Sequence, residues 1–465
     1  MKRLKVVMLG AGSGFTVSVA STLGHAVLRD CEFRLVDTDP RRLRAAQASV
    51  RDLIRERKLG VKLVATPNVE KALEGCDYVI ASCEINRNPN WLKDIEIPER
   101  HGVHQFTGEN GGPGGLIHGM RNIGLFMPIV QAMERVCPDA WLLNFTNPES
   151  ILLTYFLKHT RIKSAGFCHQ VHGVMGVISE MMGFPPGELQ VISIGINHLN
   201  WLMDIRRRNT GKSYLKEFEK RIQKSIYWTE NHPEKIIPEQ NFSLEVWKTF
   251  GMYPIGYDGH VVEYLSFFYE QKEWASKQFR HTTKDSLIEQ IRSSASTMDH
   301  ALQMQTLMGK QVAGKPPFPR NHVHPYYREA PGDVIVSLET NKPLYLDACV
   351  GFNHGAASNL PYDAIVDRPV LVVGGDIRSL HVGELPMGPA EICRRQIALH
   401  DMIAKAAVEG DASLAVQALC LDPYVRSITQ ARAIWADYFR EYKEHLPMFR
   451  SARTRGGSRC TGPAR

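Results

Sequence analysis

Gly10, Gly12 and Gly14 follow a short apolar run, Lys5-Val6-Val7-Met8-Leu9, and lead into a stretch of helical character. Glycines at such a place serve a phosphate. Gly10 permits a tight turn, and Gly12 lets the backbone approach a pyrophosphate that then rests on the helix N-terminus beyond Ser13. Phe15 stands where a third glycine is usual, so the fingerprint is incomplete. Asp37, at the end of the next apolar run, supplies an acceptor for a ribose 2′-hydroxyl and would repel a 2′-phosphate. This favours NAD over NADP, with Arg41 and Arg42 nearby acting in the opposite sense.

Four later segments carry further chemistry. Gly111-Gly112-Pro113-Gly114-Gly115 exposes backbone, follows Glu109 and precedes a helical stretch with Arg121. Asn144 ends an apolar run just before Asn147-Pro148, and an asparagine there can grip two sugar hydroxyls or a cofactor. Cys168-His169 ends the following run, and Asn197-His198 comes thirty residues later. A thiolate and an imidazole are either metal ligands or, respectively, a small core residue and a structural histidine. Two ligands so far apart define no metal motif by spacing alone.

Positioning such groups requires a scaffold. Lys5–Leu9, Phe33–Val36, Val61–Ala65, Tyr78–Ser82, Ala140–Asn144 and Ser164–Phe167 read as strands. Helical spacing falls between them at Ala45–Glu56 and Met120–Val136. The alternation predicts an α/β fold, a Rossmann-type doubly wound parallel sheet, whose strand ends form the ligand crevice. Beyond it, Val191–Ile194, Leu202–Ile205, Asp333–Leu338 and Val370–Val373 read as strands. Tyr214–Ser225, Ala390–Glu409 and Tyr424–Glu444 read as helices, and Pro316–Pro325 as a loop. The expected division is residues 1–195 for the nucleotide, 196–450 for an α+β substrate, metal and oligomerisation domain, and a disordered tail over 451–465.

Composition bounds the function. The 465 residues are 43% hydrophobic and 23% charged, as in an ordinary globular protein. A net charge of +7 without a basic stripe excludes a nucleic-acid footprint, and no run approaches the roughly 20 apolar residues of a membrane span. The nine scattered cysteines read as reduced thiols in a cytoplasm.

Taken in order, Gly10–Ser13, Ile97-Pro98 with His101-Gly102, Gly112–Gly115 with Arg121, Cys137–Ala140, Asn147-Pro148, Cys168-His169, Asn197-His198, Asn359–Pro361, Gly383–Pro386 and Asp422-Pro423 span nearly the whole chain. This series resembles glycoside hydrolase family 4, the NAD-dependent exception to two-carboxylate glycoside hydrolysis. The resemblance implies a lactate/malate dehydrogenase-like fold, a homodimer or homotetramer, and a redox-elimination reaction. NAD oxidises the sugar at C3, a base removes the acidified C2 proton, the C1 substituent leaves, water adds, and the hydride returns. It also implies Mn2+ or another divalent metal on Cys168 and His198, with NAD contacts at Gly10, Gly12, Ser13, Phe15, Asp37 and Asn144. The C2 base is Tyr257 or the adjacent Asp258, and His169 is either the leaving-group acid or a substrate contact. Substrate contacts are expected at Asn147, Arg87, Glu109, Arg121, Asn197 and His260. His169 after the cysteine argues against a 6-phosphosugar, leaving α-galactosides, α-glucosides, uronides and sulfoquinovosides. A 2-hydroxy-acid-type dehydrogenase and a non-catalytic NAD sensor are the alternatives.

Overall fold

The computed structural model describes residues 3–24, 28–231, 241–267, 284–295 and 331–449. The expected loop at Pro316–Pro325 and the tail at 451–465 lie outside these residues.

The N-terminal part runs β1 (Lys5–Leu9), α1 (Phe15–Ser21), β2 (Glu32–Val36), α2 (Pro40–Glu56), β3 (Lys62–Thr66), α3 (Val69–Leu73), β4 (Tyr78–Ala81), α4 (Arg87–Arg100), α5 (Gly112–Val136), β5 (Trp141–Asn144), α6 (Glu149–His159), β6 (Lys163–Gly166) and α7 (Gln170–Met182). Strands β1 to β6 pair in parallel in the order 3-2-1-4-5-6. That is the doubly wound Rossmann order, which leaves a crevice where the winding reverses between β1 and β4. Helices on both faces explain the unbroken apolar runs: Val6, Val7, Met8 and Leu9 are all buried. Helix α2 starts where Asp39 accepts from the backbone N–H groups of Arg41 and Arg42, with Pro40 as its first residue.

The chain continues with β7 (Leu189–Ile196), β8 (Leu199–Arg207), α8 (Leu215–Asn231), α9 (Asn241–Phe250), β9 (Pro254–Ile255), α10 (Asp258–Val261), α11 (Lys284–Ala295) and α12 (Pro331–Thr340). It ends with β10 (Leu344–Phe352), β11 (Ile365–Val373), β12 (Asp376–Ser379), α13 (Met387–Glu409), α14 (Ala412–Leu421) and α15 (Ile428–Tyr442). Here the sheet is antiparallel, and β10 attaches it to β6 through Val350 and Gly166. All twelve described strands therefore form one sheet. The expected boundary at 195/196 falls at the end of β7, whose partners β8 and β11 both belong to the antiparallel half.

One expected strand is a helix. Asp333–Leu338 lies inside α12, which opens on Pro331 and buries Val334, Ile335 and Leu338 along one side. That i, i+1, i+4 spacing suits a helix face, and a proline at the first position suits a helix start. The C-terminal helices return to the N-terminal half. Tyr438 and Tyr442 on α15 donate from their hydroxyls to the carbonyls of Asp94 (2.7 Å) and Asn90 (2.9 Å) on α4. Among the described residues no helix is long and apolar enough to cross a membrane.

Candidate active site

The nucleotide turn sits where β1 ends. Gly10 has φ +74°, and a β-carbon there would lie 2.1 Å from the Ser82 carbonyl oxygen at the end of β4. Both facts demand glycine. The Gly12 N–H donates to Asp37 Oδ2 at 2.7 Å, so the acidic residue is already docked against the turn. Ser13 closes the turn on the Gly10 carbonyl at 2.9 Å. Gly10→Ala is thus expected to weaken NAD binding at least tenfold, about 1.4 kcal/mol or more. Fluorescence titration with NADH checks this.

Phe15 replaces the missing third glycine with a ring, and that ring has company. Phe15 and Phe145 have centroids 5.9 Å apart, and Phe145 stacks on Phe167 at 5.4 Å. These rings run along the carboxyl edge of the sheet from the nucleotide turn past the end of β5 to the residue before Cys168. Asn144 ends β5 fully buried, its Nδ2 donating to the Thr146 carbonyl at 2.9 Å.

Cys168 and His198, far apart in sequence, meet: Sγ lies 3.2 Å from Nε2. Cys168 directly follows β6, while His198 is the second residue of the two-residue turn joining β7 to β8. That turn forces His198 to φ +68°, a left-handed conformation costing about 1–3 kcal/mol in a residue with a β-carbon. The strain aims the ring at the sulfur. Burial pushes the His198 pKa well down, the charge of His260 adds to this, and Glu109 opposes it. The His198 imidazole is thereby held in its neutral form, the form in which a histidine can donate to a metal.

A charged network adjoins the pair. The His260 ring lies 4.3 Å from that of His198, its Nδ1 2.8 Å from Glu263 and 3.8 Å from Glu109. Arg87 bridges Glu109 and Glu84, the latter at 2.7 Å, and Glu84 reaches His118 at 2.7 Å. Burial would raise Glu84, but Arg87 and His118 hold it down to about 2. Burial likewise opposes charge on Glu109, and Arg87 with the nearby histidines outweighs it, so Glu109 too is held low. Asn147 Nδ2 donates to Glu109 at 3.4 Å. Beneath lies Glu263, fully buried, which accepts from Thr107 Oγ1, the Asn110 and Gly111 N–H groups and His260. It fixes the loop that opens α5.

The Tyr257 hydroxyl and the His169 main chain both meet the first turn of α7. The Gly173 N–H on α7 donates to the His169 carbonyl at 2.8 Å. A β-carbon on Gly173 would lie 1.8 Å from Tyr257 Oη, so the hydroxyl rests directly on that glycine.

Two expected roles are corrected. Asp258 is not presented as a base: its carboxylate accepts from the N–H groups of Phe242 (2.7 Å) and Ser243 (2.9 Å) and from Ser243 Oγ (2.7 Å). It satisfies the donors at the N-terminus of α9. Arg121 does not face a ligand either. It is fully buried, paired through both terminal nitrogens with Asp94 at 2.9 and 2.7 Å, and lies 4.5 Å over the Tyr442 ring. Reading the sequence for site residues passed over Glu84, although it stands three residues beyond β4, where such sheets bind ligands.

A doubly wound dinucleotide-type sheet, with a cysteine–histidine pair and a network of buried charges near its strand ends, defines the class of protein: an α/β fold of the kind that binds a redox cofactor. Comparison with known proteins carries this further. Residues 5–184 match the model of family 4 glycosyl hydrolases, and residues 193–425 match the model of that family's C-terminal domain. The chain is 27% identical to an alpha-galactosidase of Bacillus subtilis, covering 96% of this chain and 100% of that protein. It is 25% identical to an alpha-galacturonidase of Thermoanaerobacterium saccharolyticum, covering 82% and 83% respectively. Among solved structures, a putative glucosidase of Bacillus subtilis superimposes with a TM-score of 0.78 at 24% identity, over 94% of this chain and 99% of that one. A 6-phospho-alpha-glucosidase from gut microorganisms, crystallised with NAD and Mn2+, gives 0.76 at 19% identity, over 96% and 99%. The chain belongs to glycoside hydrolase family 4. It is a glycosidase.

Proposed function

We propose that this glycosidase cleaves α-hexosides with NAD and Mn2+ as resident cofactors, oxidising the sugar at C3, eliminating the C1 substituent, adding water and reducing C3 again. The observation that carries the reading is the Cys168–His198 pair at 3.2 Å on the same sheet edge as the Gly10–Gly12 turn. The residues fit both groups. β-Carbons at Gly10 and Gly12 would collide with Ser82 and with Asp37 and Arg42, so glycines alone allow this tight turn with Asp37 docked on it, and a cysteine as thiolate with a neutral imidazole suits a divalent cation. When bound, NAD supplies a reversible hydride acceptor and the metal a Lewis acid that acidifies the C2 proton.

The chain's own residues do the rest. Asn147, Glu109, Arg87 and His260 line one side of the pocket and hold sugar hydroxyls, with Asn197 behind them. Tyr257, as its phenolate, would accept the proton from C2, and His169, in its protonated form, would give one to the leaving oxygen. Tyr257 Oη rests on Gly173, one helical turn beyond His169, so both residues belong to the same short stretch of the site. Arg87 is balanced by Glu84 and Glu109, which favours a neutral hexoside over a uronide or sulfonate. The galacto configuration, as in the name of the Bacillus subtilis relative, is the first to test.

Turnover in heavy water is expected to give product carrying deuterium at C2, with no net NADH. Mass spectrometry and absorbance at the NADH band read both. Unlabelled product would remove elimination, and steady NADH accumulation would indicate a dehydrogenase. A panel of aryl α-galactosides, α-glucosides, uronides and sulfoquinovosides with NAD and Mn2+ fixes the sugar. The reading extends to a homodimer or homotetramer in a cytoplasm, and sedimentation velocity checks the oligomer.

A further inference from the structure

Asp367 stands in the middle of β11, buried, with no part in the chemistry above. Strand register identifies what it faces. Asp367 pairs with Gly195 of β7, and Gly195 pairs with Asn200 of β8, so the three form one row across the sheet. Residues in register project to the same face. Side chains two strands apart are ordinarily separated by the one between them. Here that one is glycine, and a β-carbon on it would come within 2.8 Å of Asn200 Cα and 3.1 Å of Asn200 Oδ1. Asn197, the residue just past the end of β7, also brings its side-chain amide to the Asp367 carboxyl.

The carboxyl of Asp367 is therefore met by two side-chain amides. Burial pushes it up to about 6, while the Arg368 charge, the Asn200 and Asn197 amides and the Cys349 N–H favour its ionised form. The contacts are loosely aligned, since Asp367 Oδ1 and the amide atoms of both asparagines have no close hydrogen-bond partner among the described residues.

Asn197 is the first residue of the turn whose second is His198. Its N–H donates to Ser150 Oγ at 3.1 Å, and its carbonyl accepts from Tyr264 Oη at 3.1 Å. The side chain remains, and Asp367 faces it. A histidine holds φ +68° only where its surroundings impose it. We propose that Asp367 is a positioning residue which, through Asn197 and Asn200, fixes the Asn197-His198 turn and so the placement of His198 Nε2 opposite Cys168 Sγ. The role rests on the reading of Cys168 and His198 as the metal pair.

The test is Mn2+ affinity of the NAD-saturated protein, read from the electron paramagnetic resonance signal of free Mn2+. Asp367→Asn, which keeps shape and removes the acceptor charge, is expected to weaken Mn2+ about 10–100-fold. NAD affinity should stay within about twofold, because the nucleotide turn lies on other strands. Asp367→Asn combined with Asn200→Asp exchanges carboxyl and amide and should recover most of the loss. Unchanged Mn2+ affinity in Asp367→Asn overturns the proposal. So does a parallel fall in Mn2+ affinity, NAD affinity and melting temperature, which marks general destabilisation. Cys168→Ser is the control: if it retains Mn2+, the metal-pair reading itself is at fault, whatever Asp367 does.

Discussion

Cys168→Ser is expected to lower turnover about a thousandfold and to abolish the response to Mn2+, while NAD affinity stays within about twofold of the parent. A hydroxyl at that position remains protonated near neutral pH and offers no anionic donor beside His198, which stands 3.2 Å away. A Lewis acid at a developing enolate contributes several kcal/mol, and about 4 kcal/mol is a factor of about a thousand. The Gly10–Gly12 turn follows β1 and Cys168 follows β6, at the far side of the parallel half of the sheet, so the nucleotide should bind as before. Initial rates against Mn2+ concentration, with NADH titration on the same sample, separate the two. A variant that keeps its metal dependence would move the metal elsewhere.

Arg121→Ala should act on stability instead of on the substrate. It strands Asp94 in the interior, without its bidentate partner and beside a Tyr442 ring that has lost its cation. Breaking a buried pair from one side costs about 3–5 kcal/mol. In calorimetry the melting temperature should fall by roughly 3–5 °C in a chain of this length. The KM of the enzyme that remains folded should change by no more than about threefold, because the guanidinium points at α4 and α15 and not into the pocket. A raised KM at unchanged stability would return Arg121 to the substrate.

These two residues also show what the sequence makes legible. Cys168 and His198 are visible by type and gain meaning through the family resemblance, while their contact depends on the β7–β8 turn reaching the end of β6 although β10 and β11 lie between those strands in the sheet. Arg121 and Asp258 misled for a shared reason. A charged side chain near motif residues looks poised for chemistry, whereas Arg121 supports helix packing and Asp258 satisfies a helix terminus. Nothing local distinguishes those uses. Glu84 and Glu263 went unassigned because each pairs with a neighbour three residues away, Arg87 and His260, and acquires its place in the site only through partners distant in sequence, His118 and the Thr107–Gly111 loop. The parallel strands were readable because burial on both faces leaves them uniformly apolar. β10 was not, since Asp347 and Gly351 interrupt its pattern, and α12 was misread because a short apolar run suits either a strand or a buried helix.

The join between β6 and β10 has a consequence for how the molecule is made. About 180 residues separate the two strands, and a chain emerging at roughly 5–20 residues per second takes on the order of ten seconds or more to cover that distance. Throughout that interval the nascent nucleotide half carries a bare strand edge at β6, a template for pairing with another chain. Covering that edge falls to β10, the strand that joins β11, itself the carrier of Asp367. The exposure of that edge therefore ends with the same strand pairing that brings Asp367 up to the Asn197-His198 turn.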